Sequence, residues 1–328
     1  MRAAVSLEYG PPDVVRIEEM PVPKPHAGEV LIKVHLSTVN RTDCGYRAAH
    51  PFFIRAFTGW RRPKRTVLGT EFAGVVAAVG SGVGRFKVDD RVFGYSEPDF
   101  GAHAQYLTVD QDGPVAIIPE GVSEESAAAS TEASHYALAI IGKGGIEPGQ
   151  DVLVYGASGG IGSAAVQLLK VLDVNVTAVC GPEALDLMAQ IGADRVIDRT
   201  AEDFTQGSDR YDVVIDAVGK SSFGKCRPVL RPDGKYLTTD LGRGWQNPPL
   251  QLATKLGRGR RVMVPTPPPF DKALIEEFQE LLSTGQFRPV LDERRFHLGQ
   301  IVEAYRYVES QQKVGNVLLR VAPAQPDR

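Results

Sequence analysis

The stretch from Asp151 to Lys170 constrains this chain more than any other. A short apolar run, Val152-Leu153-Val154-Tyr155, opens into Gly156-Ala157-Ser158-Gly159-Gly160-Ile161-Gly162 and continues as Ser163-Ala164-Ala165-Val166-Gln167-Leu168-Leu169-Lys170. It reads as strand, glycine-rich turn and helix. Such a turn gathers unpaired backbone N–H groups at the positive end of a helix dipole, which suits a dinucleotide's pyrophosphate. Against the pattern G-x-G-x-x-G the aligned residues are Ala157, Gly159 and Gly162, so alanine stands at the first glycine. Context supports the motif: a strand-like Val174 to Cys180, a helical Pro182 to Ile191, then strand-like Arg195 to Asp198 and Tyr211 to Asp216, the last leading into Ala217-Val218-Gly219. Repeated strand–helix alternation is what a doubly wound parallel sheet requires. A nicotinamide or flavin nucleotide is the expected ligand.

The flanks have a different texture. Before residue 122, β-rich runs such as Glu29 to Val34, Phe72 to Val79 and Gln105 to Val109 are separated by Gly, Pro and Asp turns, the pattern of an antiparallel, barrel-like domain. The alanine-rich run Ser123 to Ile141 begins with a helix-start signal, Ser123-Glu124-Glu125, and leads into the nucleotide-binding unit. Pro265-Thr266-Pro267-Pro268-Pro269 breaks regular structure after a strand-like Arg261 to Val264, and a helix from about Asp271 to Ser283 follows. The tail, helical over Ile301 to Glu309 and a strand over Asn316 to Val321, is too short to stand alone and is expected to pack on the first domain.

With 37 basic against 40 acidic side chains in 328 residues, the near-neutral balance gives no electrostatic case for nucleic acid or an anionic membrane. The start, Met1-Arg2-Ala3-Ala4-Val5, lacks a long apolar core, and three well-separated cysteines, Cys44, Cys180 and Cys226, make neither a disulfide framework nor a four-cysteine zinc lobe. A soluble cytoplasmic enzyme is expected.

The motifs Val39-Asn40-Arg41-Thr42-Asp43, Leu68-Gly69-Thr70-Glu71-Phe72-Ala73-Gly74, Val79-Gly80 and Gly84-Arg85-Phe86-Lys87-Val88-Asp89-Asp90-Arg91-Val92, with the Gly156 to Gly162 turn, occur in order along the chain. In these it resembles the medium-chain dehydrogenase/reductase superfamily, and within it the zinc-free quinone oxidoreductase-like branch. The resemblance implies an α/β protein. A GroES-like β-barrel catalytic domain (1–122, completed by 266–328) would flank a Rossmann domain (123–265), with the active site in the cleft and two chains pairing through the Arg261 to Val264 edge as a homodimer. It also implies the sites. Asn40 and Thr42 would lie beside nicotinamide and substrate, while Tyr136, Ser158, Gly159, Gly160, Ile161, Gly162, Gly181, Arg199, Val218 and Leu241 would contact the cofactor.

In zinc alcohol dehydrogenases of this superfamily the metal ligands fall where this chain has Asn40, Thr70 and Glu132. Only Glu132 is a good zinc ligand, and catalytic zinc needs three. Without a Lewis acid to stabilise an alkoxide, hydride addition to a C=C conjugated with a carbonyl is the easier chemistry, because the charge spreads into an enolate or hydroquinone. The expected activity is therefore NADPH-dependent reduction of a quinone or enone. An NAD(P)-dependent alcohol or carbonyl dehydrogenase, and a cofactor-binding regulatory protein with little turnover, are the alternatives.

Three sources of the proton stay open: Glu132 with a raised pKa, Tyr46, and water. Glu132 also stands three residues before His135, the spacing of a mutual hydrogen bond on one helix face. Asp43 reads as structural, and His26, His50 and His103 as surface residues. Phe52 to Arg65 mixes aromatics with basic residues; it reads as a loop over the substrate rather than an RNA or membrane surface. For the cofactor, Val179-Cys180-Gly181-Pro182 has no acidic residue for the ribose, and Arg199 is placed to meet a 2′-phosphate, so NADPH is favoured, with NADH possible and Glu183 its ribose ligand.

Overall fold

The computed structural model describes residues 1–322. It divides into two compact units, Met1–Glu132 with Phe270–Arg328, and Ala133–Pro269.

In the second unit six strands form one parallel sheet, in spatial order Arg195–Asp198, Asn175–Cys180, Asp151–Tyr155, Tyr211–Asp216, Leu230–Thr238 and Arg261–Met263. Counted along the chain this is 3-2-1-4-5-6, the doubly wound order that reverses beside the first strand. The strands are continuous apolar runs because parallel strands are covered on both faces; Val152, Leu153 and Val154 are wholly buried. Arg261–Met263 is an edge strand.

The first unit is a mostly antiparallel sheet around the long strand Glu29–Val39. This strand pairs with Glu71–Val79, with Tyr106–Asp110 and with the C-terminal Asn316–Arg320, where Val317 faces Val39. The tail thus completes the sheet of the N-terminal segment. Its core joins Val30, Ile32 and Val34 to Phe72, Val76, Val317 and Leu319. One strand has no counterpart in the sequence reading: Leu291–His297 pairs parallel with Asn316–Arg320. Its residues Asp292-Glu293-Arg294-Arg295 carry no apolar alternation, because this is an edge strand.

The alanine-rich run is not one helix. Glu124–Ala128 packs on the strands of the first unit, and a second helix, Glu132–Gly144, starts after a break at residues 129–131. The break has a physical cause. The Glu71 carboxylate accepts the N–H groups of Thr131 and Glu132 at 2.9 and 2.8 Å and the Thr131 hydroxyl at 2.9 Å, so a buried anion caps the second helix. His103, expected at the surface, is buried at 1% exposure. Its Nε2 donates to the Thr38 carbonyl at 2.8 Å, leaving Nδ1 to accept from Tyr305 at 3.4 Å. Burial lowers its pKa to about 4, so it stays neutral beside Asp43 at 3.8 Å and forms no true ion pair there. His26 and His50 are exposed, as read from the sequence.

Candidate functional site

The first unit carries a buried polar cluster centred on the helix Arg41–Ala48. Asn40 is its N-cap: the side-chain Oδ1 accepts the Asp43 N–H at 3.0 Å, and the Asp43 carboxylate accepts the Asn40 N–H in return, a reciprocal capping box. Asp43 also accepts from Gly69 N–H at 2.9 Å, which ties the helix to the Gly69-Thr70-Glu71 turn. Since Oδ1 is committed to a backbone donor, the Asn40 amide nitrogen faces the other way and donates to the Thr70 hydroxyl at 2.7 Å. Asn40 and Thr70, which the resemblance sets at two metal-ligand positions of the zinc enzymes, are thus bonded to each other, and the amide nitrogen, its lone pair delocalised into the carbonyl, offers none to a metal.

Beside them, Thr42 donates to Glu132 Oε1 at 2.8 Å. Glu132 is 5% exposed, and burial, with the nearby Glu71 charge, pushes its pKa up to about 8. Burial raises Glu71 as well, but four donors converge on that carboxylate: Thr38 Oγ1, Thr131 N and Oγ1, and Glu132 N. That donor set suits an anion, so the charge belongs on Glu71 and the proton on Glu132. Lys313, from the return segment, lies near Glu132, and burial lowers its pKa.

Tyr46, one turn along the same helix, reaches Glu97 at 3.5 Å, and Glu97 also accepts a hydrogen bond from Tyr95. Burial, with the Glu97 charge, raises Tyr46 to about 12. His135 has its Nε2 2.7 Å from the Pro268 carbonyl, so it donates to the chain just before the return segment. Tyr136 is half-buried, its ring 6.0 Å from that of His135. No group of three or more His, Cys, Asp and Glu side chains placed to hold a metal occurs among the described residues.

In the second unit the glycine-rich turn has the geometry that close approach demands. Gly156 adopts φ +78°, a left-handed conformation that suits glycine. A Cβ at Gly162 would lie 2.2 Å from the Gly156 carbonyl oxygen. Ala157, in place of the first glycine of the pattern, is wholly buried, its methyl group accommodated in the core. Gly159 caps the helix Gly160–Val171 without a side-chain acceptor, so the N–H groups of Gly160, Ile161 and Gly162 have no intrahelical carbonyl. Ser158, Gly159 and Ile161 keep partial exposure beside them. The residues present fit a pyrophosphate.

The other expected cofactor residues gather at the C-terminal ends of neighbouring strands. Val218 sits against the turn, its Cγ1 2.5 Å from where a Gly156 Cβ would be. Leu241 follows the strand Leu230–Thr238, its carbonyl accepting Asn247 N–H at 3.0 Å. Arg199 is exposed, and its N–H donates to Cys180 O at 2.9 Å, which places it beside Gly181. Glu183 approaches the same glycine: a Cβ there would lie 2.3 Å from both of its carboxylate oxygens. One organising residue escaped the sequence reading. Asp216, wholly buried, accepts from the N–H groups of Val218, Gly219 and Ser221 and from Tyr236 OH, and so shapes the loop that carries Val218. An acid closing an apolar strand just before Ala217-Val218-Gly219 was its signal.

Two family models match: an alcohol dehydrogenase GroES-like domain over residues 26–120 and a zinc-binding dehydrogenase over 191–319. The latter range contains none of Asn40, Thr70 and Glu132. The chain is 30% identical to the 2-methylene-furan-3-one reductase of Solanum lycopersicum, over 98% of its own length and 80% of that protein. It is 29% identical, with the same coverage, to the chloroplastic NADPH-dependent alkenal/one oxidoreductase of Arabidopsis thaliana. Among solved structures, the quinone oxidoreductase from Coxiella burnetii superposes with a TM-score of 0.83 at 25% identity, covering 98% of this chain and 99% of that one. The chain belongs to the medium-chain dehydrogenase/reductase superfamily, in its quinone oxidoreductase-like branch.

Proposed function

We propose that this chain is an NADPH-dependent, zinc-independent oxidoreductase that transfers hydride to a quinone or to the C=C of an α,β-unsaturated carbonyl. The observation that carries the reading is the Asn40–Thr70 hydrogen bond, at two positions where the resemblance sets metal ligands in the zinc enzymes, beside the buried Thr42–Glu132 pair. NADPH, when bound, supplies a hydride to the electrophilic carbon. The displaced π electrons pass toward the carbonyl oxygen as an enolate, and the Glu132 carboxyl, held by Thr42, delivers the proton that completes the reduction. Glu132 then recovers a proton from solvent. The kinship with an alkenal/one oxidoreductase and a furanone reductase supports this substrate class. Purified protein treated with a chelator should reduce an enone and a quinone with NADPH and leave a simple aldehyde untouched. Loss of activity on chelation, or preference for the aldehyde, would overturn the reading in favour of a zinc-type dehydrogenase. NADPH binding with no turnover of any of the three would indicate a binding protein.

Arg199 is proposed to pair with the 2′-phosphate of NADPH. Arg199→Ala then removes a charge-assisted contact worth roughly 1.5–3 kcal/mol, on the order of ten- to a hundredfold in NADPH affinity, with little change for NADH. Titration of cofactor fluorescence checks this. Equal losses for both cofactors would place Arg199 on the adenine, and tighter NADH than NADPH binding in the wild type would make Glu183 a ribose ligand. The edge strand Arg261–Met263 is proposed to pair across a two-fold axis in a homodimer. No helix among the described residues is long and apolar enough to cross a membrane, and the three buried free cysteines suit a reducing compartment, which we take to be the cytoplasm.

A further inference from the structure

From Cys44 to Thr70 the chain has no acidic residue, yet it carries Arg47, Arg55, Arg61, Arg62, Lys64 and Arg65. In a chain whose net charge is −3 this is a local concentration of positive charge. Only two of the six find an anion among the described residues: Arg47 pairs with Glu309 and Arg65 with exposed Asp99. The segment also bounds a cavity of about 230 Å³ within the first unit, lined by Tyr9, Tyr46, Phe57, Thr58, Lys64 and Arg65 among others. Its lining thus joins aromatic rings to cationic side chains. Tyr9 is fixed by hydrogen bonds of 2.8 Å to Thr58 Oγ1 and to the Gly59 carbonyl, so the aromatic wall is anchored to the basic segment. A second feature points the same way. The Arg55 guanidinium lies 4.7 Å from the centre of the Tyr9 ring and 4.8 Å from that of Phe52, with its Nε buried and unbonded and no anion paired with it among the described residues. A cation held between two rings beside this cavity, with hydrogen-bonding capacity to spare, is half of an ion pair.

The acids near the cavity do not complete it. Asp99 is taken by Arg65, and Glu97 already accepts from Tyr46 and Tyr95. Tyr46 links the cavity to the helix that carries Thr42 at Glu132. Tyr46 is thus a lining residue of the cavity that stands four residues after Thr42 on that helix.

We propose that this cavity is a substrate subsite for a carboxylate: the substrate is a flat, conjugated enone or quinone with an acidic group at the end remote from the reacting carbon, met by Lys64 with Arg55 in support. The volume is below the roughly 300 Å³ at which drug-sized pockets begin, which fits one ring and its carboxylate rather than a long chain. The inference rests on the reductase reading, so its test separates the two. The probes are para-carboxybenzylideneacetone and its methyl ester, identical at the enone and different only in charge at the far end. With NADPH and wild-type protein the acid should show a kcat/KM about ten- to a hundredfold above the ester, the range for hydrogen bonds to a charged group. In Lys64→Gln this acid-to-ester ratio should fall toward one, and Lys64→Arg should restore much of it. Because the ratio is taken within each protein, a general loss of folding or turnover cancels. Equal use of acid and ester by the wild type, or a ratio that survives Lys64→Gln and Arg55→Gln, would overturn the subsite and leave the reductase standing. If neither compound is reduced, the reductase reading fails, and calorimetric binding of the acid decides the subsite alone: binding to wild type that weakens tenfold or more in Lys64→Gln supports it, and absence of binding overturns it.

Discussion

Replacing Glu132 with glutamine should lower kcat for enone reduction by about a hundredfold or more, the size of effect that loss of a positioned general acid produces. Glutamine keeps the shape and can still accept from Thr42, but it has no carboxyl proton to give. The pH profile identifies the group. A buried carboxyl raised to about 8 holds its proton below that pH and loses it above, so wild-type kcat should be level at neutral pH and fall as pH rises through about 8. The Glu132→Gln profile should lack that limb. Tyr46 predicts something different, since a hydroxyl raised to about 12 stays protonated throughout the accessible range and gives no limb near 8. A profile flat to about pH 10, with Glu132→Gln as active as wild type, would move the proton to Tyr46 or to water, and Tyr46→Phe would distinguish those two.

The second large effect belongs to the nucleotide turn. In Gly162→Ala the new methyl carbon would begin 2.2 Å from the Gly156 carbonyl oxygen and 2.8 Å from Ala157 Cα, both backbone atoms that no rotamer change can move. The turn must open, at a cost of about 1–3 kcal/mol in stability. The N–H groups of Gly160, Ile161 and Gly162 then lose their common focus, and NADPH affinity should drop roughly tenfold or more. Gly142 is the internal contrast. It lies in the helix Glu132–Gly144 with nothing within 4 Å of the point where a Cβ would stand, so Gly142→Ala should gain about 0.5–1 kcal/mol from helix propensity. Thermal unfolding and NADPH titration of both variants measure the difference. Wild-type NADPH affinity in Gly162→Ala would show that the turn does not hold the cofactor.

The nucleotide-binding half was legible because its signals are local. Five of its six strands are short apolar runs bounded by turn residues, and Arg195–Asp198 and Tyr211–Asp216 begin and end where the sequence pattern places them. The polar cluster was only half legible. Asn40, Thr70 and Glu132 stood out as departures from a ligand pattern, but their partners come from across the first unit. Glu71 is 61 positions from the helix start it caps, and no periodicity announces that contact. His103 misled for the same reason. Flanked by Gly101, Ala102 and Ala104 it has the look of a loop residue, and it is buried because the Gly69 turn lies close against it, with room for no Cβ at Gly69. The break at 129–131 likewise follows from a distant carboxylate rather than from any local helix breaker.

The whole mechanism turns on hydride entering a conjugated C=C without a metal to hold the charge. NADPH carrying deuterium at the transferred position, supplied to chelator-treated protein with benzylideneacetone, tests this step by NMR of the product. The expected product is a saturated ketone with deuterium on the β-carbon and none on the carbonyl carbon. Deuterium on the former carbonyl carbon, in an allylic alcohol, would mean direct carbonyl reduction and would contradict it.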